Sequence, residues 1–287
     1  MTWRQQRAAL RNWYEIPQVE RRYNRMITGS EDESTFRYVS QKFLNGNDLS
    51  AVSFGCGTGS REFAWANTGS FKQIVAIDIS EERIKEAKQK LAQSPFGGII
   101  EFVAGDVLHY PLNPNSFDAA IAEGILHHIT PLENFMDRIL SSLKPGGILV
   151  ANEYVGPNRF QWTKEQRHFC NALLSLIPNG MKTYRGTSIP KSRIFRPGTL
   201  SMRIYDPSEA VESSRIIEIL QRKFTILERK DYGGTILHPL LKDISHHFVE
   251  MTPAEQKILD FLFYAEDYLL NVGAIKSDFT FVIAQKA

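Results

Sequence analysis

The sequence predicts an α/β fold, a doubly wound parallel sheet covered by helices on both faces. Three observations predict it. Short apolar runs alternate with helical patterns from Leu49 onward, and that alternation gives parallel strands joined by crossover helices. The first run leads into a glycine-rich loop, Gly55-Cys56-Gly57-Thr58-Gly59-Ser60, that opens a helix. The next two runs end on or beside an acid, Asp78 and Asp106, at the strand ends where open sheets bind ligands.

Taken in order, residues 1–28 read as helical, with Trp3, Trp13, Tyr14 and Tyr23 scattered along them, and 33–43 as a second short helix. The run 49–54 is a buried strand. The run 74–78 (IVAID) is a second, and Ser80-Glu81-Glu82 after it supplies a capping oxygen and an acidic first turn for a helix over 81–93. Pro95 and Gly97-Gly98 stop that helix, and strands follow at 99–103, 117–122 and 148–154. Three helix starts share one device, a capping oxygen, then Pro, then Glu three residues after the cap: Thr130-Pro131-Leu132-Glu133, Asp206-Pro207-Ser208-Glu209 and Thr252-Pro253-Ala254-Glu255. They predict helices near 131–143, 207–222 and 253–271, with strands at 224–228 and 279–284 closing the pattern.

At 287 residues the chain is longer than one compact core needs. The segments 155–205 and 236–275 break the alternation and are long for loops, so they read as inserted lobes. The expected organisation is an N-terminal helical lid (1–31), a core (32–154), a basic substrate lobe (155–205), a core helix and strand (206–235), a helical insert (236–275) and a final strand (276–287). Residues 166–205 contain no Asp or Glu but carry seven Lys and Arg, either a solvated surface or a lobe that faces an anionic ligand.

Composition excludes other classes. With 43% apolar and 23% charged residues the chain is neither disordered, collagen-like nor a coiled coil. No apolar window approaches the length of a membrane-spanning helix, and the N-terminus offers Arg and Trp where a signal peptide needs an apolar run. Cys56 and Cys170 cannot make a disulfide framework, so a reducing cytoplasm is expected. A net charge of +2 is too small to point to nucleic acid.

The glycine loop is G-x-G-x-G. A dinucleotide site would favour a third glycine at position 60, where this chain has Ser60. Asp78, nineteen positions after Gly59, suits either the two hydroxyls of a ribose or an ordinary acid before a helix. Asp106 suits either an amino group of a base or a plain turn.

Together, VSFGCGTGSRE (52–62), VAID (75–78), VAGDV (103–107), FDAAIAEGILHHI (117–129) and LKPGGILVANEY (143–154) resemble the class I S-adenosylmethionine-dependent methyltransferases, in their type 11/12, small-molecule branch. The resemblance implies a seven-stranded sheet whose last strand is antiparallel, with S-adenosylmethionine across the strand tips and S-adenosylhomocysteine as product. It implies that Gly55, Cys56, Gly57, Thr58 and Gly59 hold the methionine half. Asp78 matches the ribose acid, Ile79 and Asp106-Val107 the adenine contacts, and Glu123-Gly124 the segment beneath the sulfonium.

Substrate residues are a matter of position. His127 and Glu153 are the candidate catalytic groups; Tyr154, Asn158, Arg159, Trp162 and His238 are expected at the acceptor's mouth. Trp13, Tyr14 and Tyr23 are either sulfonium-facing aromatics or core. No metal is expected: neighbours on a helix start point about 100° apart, so His127 and His128 should not share an ion, and no Cys/His zinc framework exists. The expected function is transfer of a methyl group to oxygen or nitrogen of a small, anionic metabolite by a cytoplasmic monomer or homodimer, without nucleic acid or membrane. A non-catalytic S-adenosylmethionine-binding subunit and an RNA methyltransferase remain as alternatives; a nicotinamide oxidoreductase fits Ser60 and Asp106 poorly.

Overall fold

The structure, a computed structural model, describes residues 12–287; the N-terminal part of the first predicted helical segment, with Trp3, lies outside them. The helices are α1 (Pro17–Thr28), α2 (Thr35–Phe43), α3 (Ser60–Ala66), α4 (Glu81–Leu91), α5 (Leu132–Ser142), α6 (Lys164–Leu176), α7 (Thr199–Tyr205), α8 (Ile216–Lys223), α9 (Leu237–Leu241) and α10 (Pro253–Asn271). The strands are β1 (Leu49–Phe54), β2 (Phe71–Asp78), β3 (Ile100–Ala104), β4 (Phe117–Glu123), β5 (Leu143–Tyr154), β6 (Thr225–Gly233) and β7 (Phe279–Gln285). Among the described residues no helix is long and apolar enough to cross a membrane.

The chain divides into two compact units. One, made of Glu33–Val155, Pro207–Lys230 and Thr280–Ala287, carries the sheet, with strand order β3-β2-β1-β4-β5-β7-β6 and the last strand antiparallel. The four parallel pairings are regular through the centre of the sheet, with register shifts only at Leu49/Ser50 and Phe117/Ala119. Val52 of β1 pairs with Val75 on one side and Ala120 on the other, and Ala120 pairs with Leu149. The order reverses between β1 and β4, and that switch point is where such sheets open a crevice. Alanines at 119, 120 and 122 are a weak strand signal by propensity, but both faces of β4 are covered and small side chains let helices approach. Leu132, Phe135 and Ile139 of α5 and Ile216, Ile219 and Leu220 of α8 complete this core, with Phe135 edge-on to Phe54 at 5.1 Å.

Two of the three shared helix starts depart from expectation. Only the third behaves as read: Thr252 caps the Glu255 N–H, Glu255 reaches back, and α10 spans Pro253–Asn271. At the first, no side chain of the Thr130-Pro131 pair caps α5; Glu212 does so from a distance, accepting from the Leu132 N–H at 3.3 Å and the Thr130 hydroxyl at 2.8 Å. At the second there is no helix over 207–212, and α8 begins at Ile216 after a short 3₁₀ turn. The polar residues of that segment are engaged with distant partners instead of the local backbone, and long-range pairing outcompetes a cap of about 1 kcal/mol.

The other unit gathers the described residues before Glu33 with Gly156–Asp206 and Asp231–Phe279, so residues 12–32 and both predicted inserts share one core. Trp13, Phe160, Trp162, Cys170 and Phe248 are buried in it. Several of its buried polar side chains are paired over long range. Glu266 accepts the N–H groups of Ile236 and Leu237 at 2.8 and 3.1 Å and meets Arg22 at 3.0 Å. Lys191 donates to the carbonyls of Pro239, Leu240 and Lys242. Gln166 donates to the Thr235 carbonyl and to Asp278, both at 2.8 Å.

Burial pushes the Asp278 carboxyl up to about 7. The folded state therefore holds this proton more tightly than the unfolded chain does. Its stabilisation is complete below about pH 4 and is lost as pH rises through about 7. Asp278→Asn should reduce the decline of unfolding free energy between pH 5 and 8 by up to about 2.6 kcal/mol. Urea titrations across that range check it, and an unchanged decline would contradict the assignment.

Candidate active site

The site is built in the sheet-bearing unit, where β1 leaves the core. Gly55, Gly57 and Gly59 all take positive φ (+68°, +55° and +83°), which other residues adopt at a cost. Two of them also make close approaches. A Cβ on Gly59 would lie 2.4 Å from the Phe102 ring and one on Gly55 2.8 Å from Ile125, whereas at Gly57 the nearest atom is 4.0 Å away. The backbone at Gly57 is thus the part of the loop open to a ligand. Gly55 and Cys56 donate to the Ile77 carbonyl, and the Thr58 carbonyl accepts from Lys90 at 3.4 Å. Burial raises the Cys56 thiol, which keeps it neutral and unreactive.

Asp78, at the tip of β2, is nearly buried. One oxygen accepts the Gly57 N–H at 2.8 Å and the other the Ser80 N–H at 2.9 Å. It serves both readings at once, as the acid ahead of α4 and as a carboxylate set against the glycine loop. Ile79 next to it is 75% exposed, an apolar face on the surface beside the strand tip. Asp106 accepts the Leu108 N–H at 2.9 Å and contacts His109 Nδ1 at 2.7 Å, and the backbone N–H holds its carboxyl below the usual range. The Gly105 N–H donates to the Asp78 carbonyl, so the two tips are tied together. Val107 is buried in the core.

Glu123 ends β4 inside the protein. Its carboxylate accepts from Trp65 Nε1 at 3.3 Å, its carbonyl accepts from Arg61, and burial raises its carboxyl. Gly124 beside it is exposed, with φ +75°. Sequence reasoning did not single out Glu62, because a Glu in a first helical turn is an ordinary dipole contact. In the structure Glu62 is 2% exposed. One oxygen accepts the Ser53 hydroxyl at 2.7 Å, while the other is buried with no hydrogen-bond partner among the described residues. Burial pushes its carboxyl up to about 7, and its charge is felt at Cys56. A buried, half-satisfied carboxylate beside a glycine loop suits a ligand ammonium group.

After β4 a 3₁₀ turn, Leu126–His128, carries the two histidines. Glu153 is not at an acceptor's mouth, as expected, but 1% exposed beneath this turn. One oxygen accepts the N–H groups of Ile125 and Leu126, both at 2.6 Å, and the other meets His127 Nδ1 at 2.7 Å. Glu153 is therefore a positioning residue for His127. His127 Nε2 lies on the far side of the ring, 3.5 Å from Glu209 Oε1. His128 Nδ1 meets the Ser208 hydroxyl at 3.2 Å. The rings of His127 and His128 lie 4.3 Å apart, which corrects the expectation that they diverge: the backbone angle fixes Cβ directions only, and the side chains fold together against the 207–211 segment. Tyr154 is buried, its ring edge-on to His127 at 6.4 Å.

The remaining predicted substrate residues fall in the other unit. Trp162 and His238 do not line a mouth there but sit in an aromatic cluster. His238 lies 5.3–6.2 Å from the rings of Trp13, Phe160, Trp162 and Phe279. Asn158 and Arg159 form a 3₁₀ turn with Phe160, and Arg159 donates to the Asp206 carbonyl at 3.3 Å. Trp13 is core, Tyr14 is exposed and Tyr23 packs on Tyr232. The basic stretch contributes to a cavity of about 390 Å³ lined by Lys164, Arg167, His168, Asn171, Ser192 and Arg193.

Residues 52–151 match a family described as a methyltransferase domain. That segment is a methyltransferase domain, similar to those of the class I S-adenosylmethionine-dependent enzymes. A demethylmenaquinone methyltransferase of Desulfitobacterium hafniense is 34% identical over 130 residues, 45% of this chain and 51% of the relative. A ubiquinone/menaquinone biosynthesis C-methyltransferase of Pseudomonas fluorescens is 28% identical over 144 residues, 49% and 56% of the two chains. The chain thus spans about half the length of the curated relatives it matches. The geranyl diphosphate C-methyltransferase of Streptomyces coelicolor, solved with S-adenosylhomocysteine, shares the fold, with a TM-score of 0.56, 11% identity and coverage of 94% and 81%.

The chemistry of this cradle suits S-adenosylmethionine: the loop is open at Gly57, Asp78 is a carboxylate set against it, and Glu62 presents a buried carboxylate oxygen. Asp78→Ala should weaken S-adenosylmethionine binding about ten- to a hundredfold, since it removes hydrogen bonds to a charged acceptor and frees the loop; calorimetry with S-adenosylmethionine, and with NADH as a control, checks it. A cation against Glu62 favours its ionised form. Affinity should therefore rise up to about tenfold from pH 6 to 8 and flatten in Glu62→Gln. A flat wild-type profile would remove Glu62 from the ammonium site.

Proposed function

We propose that this chain transfers a methyl group from S-adenosylmethionine to an oxygen or nitrogen of a small acceptor that also carries an anionic group. The observation that carries the reading is the packing of Ile125 against Gly55. It sets the His127 turn directly on the loop that fits the methionine half of the cofactor. When bound, S-adenosylmethionine supplies an electrophilic methyl on a sulfonium. The protein then has to hold a nucleophile in line, and orientation of that kind is worth about 7–11 kcal/mol.

His127 is the group poised to engage the acceptor atom, because Glu153 orients its ring through Nδ1. Such a partner contributes about 10²–10⁴-fold to rate. The acid-free, basic composition of residues 166–205 supports the anionic part of the reading. Lys164, Arg167, His168 and Asn171 recur at helical spacing along one face of α6, and Ser192 and Arg193 face them. A phosphate, sulfate or carboxylate matches that lining. The free thiols Cys56 and Cys170 fit a reducing, cytoplasmic location. The names of the curated relatives support a second reading, transfer to carbon.

Turnover with radiolabelled S-adenosylmethionine, screened over phenols and alcohols with and without a phosphate or carboxylate, tests the reading. Anionic acceptors should be preferred, with a KM about ten- to a hundredfold below that of their neutral counterparts. Equal use of neutral and anionic acceptors would reject the anionic class, and mass spectrometry of the product separates O, N and C transfer. His127→Gln should lower kcat about 10²–10⁴-fold with cofactor affinity unchanged. Cofactor binding without turnover of any acceptor would favour a regulatory subunit, and RNA binding that falls steeply with salt a nucleic-acid substrate.

A further inference from the structure

We propose that His127, His128 and Glu209 form a site for one divalent transition-metal ion, zinc-like in its chemistry, beside the methyl-transfer position. The proposal rests on the methyltransferase reading only for the role of the ion and not for its binding. One ligand atom from each of the three residues lies within 4.8 Å of the other two. The His127 Nε2 to Glu209 Oε1 separation, 3.5 Å, is close to the roughly 3.3 Å that adjacent ligands span around a tetrahedral ion with bonds near 2.0–2.1 Å. Two imidazoles and one carboxylate are a donor set that suits zinc and its neighbours better than magnesium or calcium.

The surroundings are those of a prepared site. Glu153 accepts two backbone N–H groups with one oxygen and orients His127 through Nδ1 with the other. A carboxylate behind a metal-binding histidine fixes its tautomer and raises its basicity in this way. Ser208 does the corresponding work for His128 at 3.2 Å, and it immediately precedes Glu209, so one segment brings the carboxylate and orients the second ring. That segment is itself fastened: the Val211 N–H donates to the His127 carbonyl at 3.2 Å, and Glu212 holds Thr130 and Leu132. All of these residues belong to the sheet-bearing unit. A hydrogen-bonded His127–Glu209 pair alone would give no reason for the His128 ring to lie on the same side.

Three protein ligands leave a fourth position, the arrangement of catalytic rather than structural ions, and His127 and Glu209 are 13% and 21% exposed in their side chains. With the ion on Nε2, His127 acts on the acceptor through the ion and not as a base itself, and an acceptor hydroxyl taken at the fourth position would release its proton to solvent at neutral pH. Its oxygen then forms the bond to the methyl carbon while the carbon–sulfur pair returns to sulfur, leaving a neutral thioether.

The test uses the full chain, stripped with chelator and titrated with Zn²⁺ by calorimetry and with Co²⁺ by visible d–d absorption. The expected result is one ion per chain with a tetrahedral Co²⁺ spectrum. His128→Gln and Glu209→Gln should each weaken binding a hundredfold or more, and Glu153→Gln about ten- to a hundredfold. S-adenosylmethionine affinity, measured on the same samples, reports that each variant is folded. Absence of stoichiometric binding, or binding that survives His128→Ala with Glu209→Ala, overturns the proposal. One ion bound and lost in the variants, without methyl transfer, leaves the metal site standing and rejects the activity instead.

Discussion

Turns at the carboxyl edge of a parallel sheet leave backbone N–H groups that no neighbouring strand can satisfy, and in this protein acids from the strand ends accept them. Asp78 takes those of Gly57 and Ser80, Asp106 that of Leu108, and Glu153 those of Ile125 and Leu126. Left unpaired in a buried setting, each would cost about 1–3 kcal/mol. The pairing therefore determines which turns can exist at this edge, and hence where the glycine loop and the His127 turn lie. It also concentrates negative charge at the rim of the crevice, which favours a ligand that carries a sulfonium and an ammonium.

The second unit solves a similar problem with the same chemistry. Helix α9 is five residues long, too short to be stable alone. Its first two N–H groups go to Glu266 and its last carbonyls to Lys191. Both charges are buried, and burial draws the Lys191 ammonium down to about 8, so its hold on the helix end weakens in alkaline solution. Taking Glu266 away would leave the buried Arg22 without that counter-charge, and taking Lys191 away would leave the carbonyls of Pro239 and Leu240 without this donor. The acid-free stretch seen in the sequence thus divides into two kinds of cation. Lys191 is structural, whereas Arg167 and Arg193 face a cavity.

What could be read from the sequence follows from the range of the interactions. Apolar runs, the glycine loop and the strand-tip acids are local patterns, and the structure places them as read. Residues whose partners are remote were misjudged. Ser208 and Glu209 look like the start of a helix and instead meet His128 and His127. Glu153 looks like a group at an open strand end and is instead enclosed by the turn of a neighbouring strand. Trp162 and His238, far apart in sequence, meet in one aromatic cluster. Glu62 carried no signal at all, since its environment is created by Ser53 across the loop.

The His127 turn illustrates how such remote contacts can reverse a chemical inference. Considered as a dipeptide, His127-His128 offers two rings on diverging directions and argues against a shared ion. Glu153 beneath and the 207–212 segment alongside convert the same dipeptide into two imidazoles on one side, one oriented through Nδ1. Neither neighbour is close in sequence, and both are held in place by backbone hydrogen bonds that the sheet edge requires in any case. The geometry that brings the rings together is therefore a by-product of satisfying the fold, and a function at this position needs only Glu209 in addition.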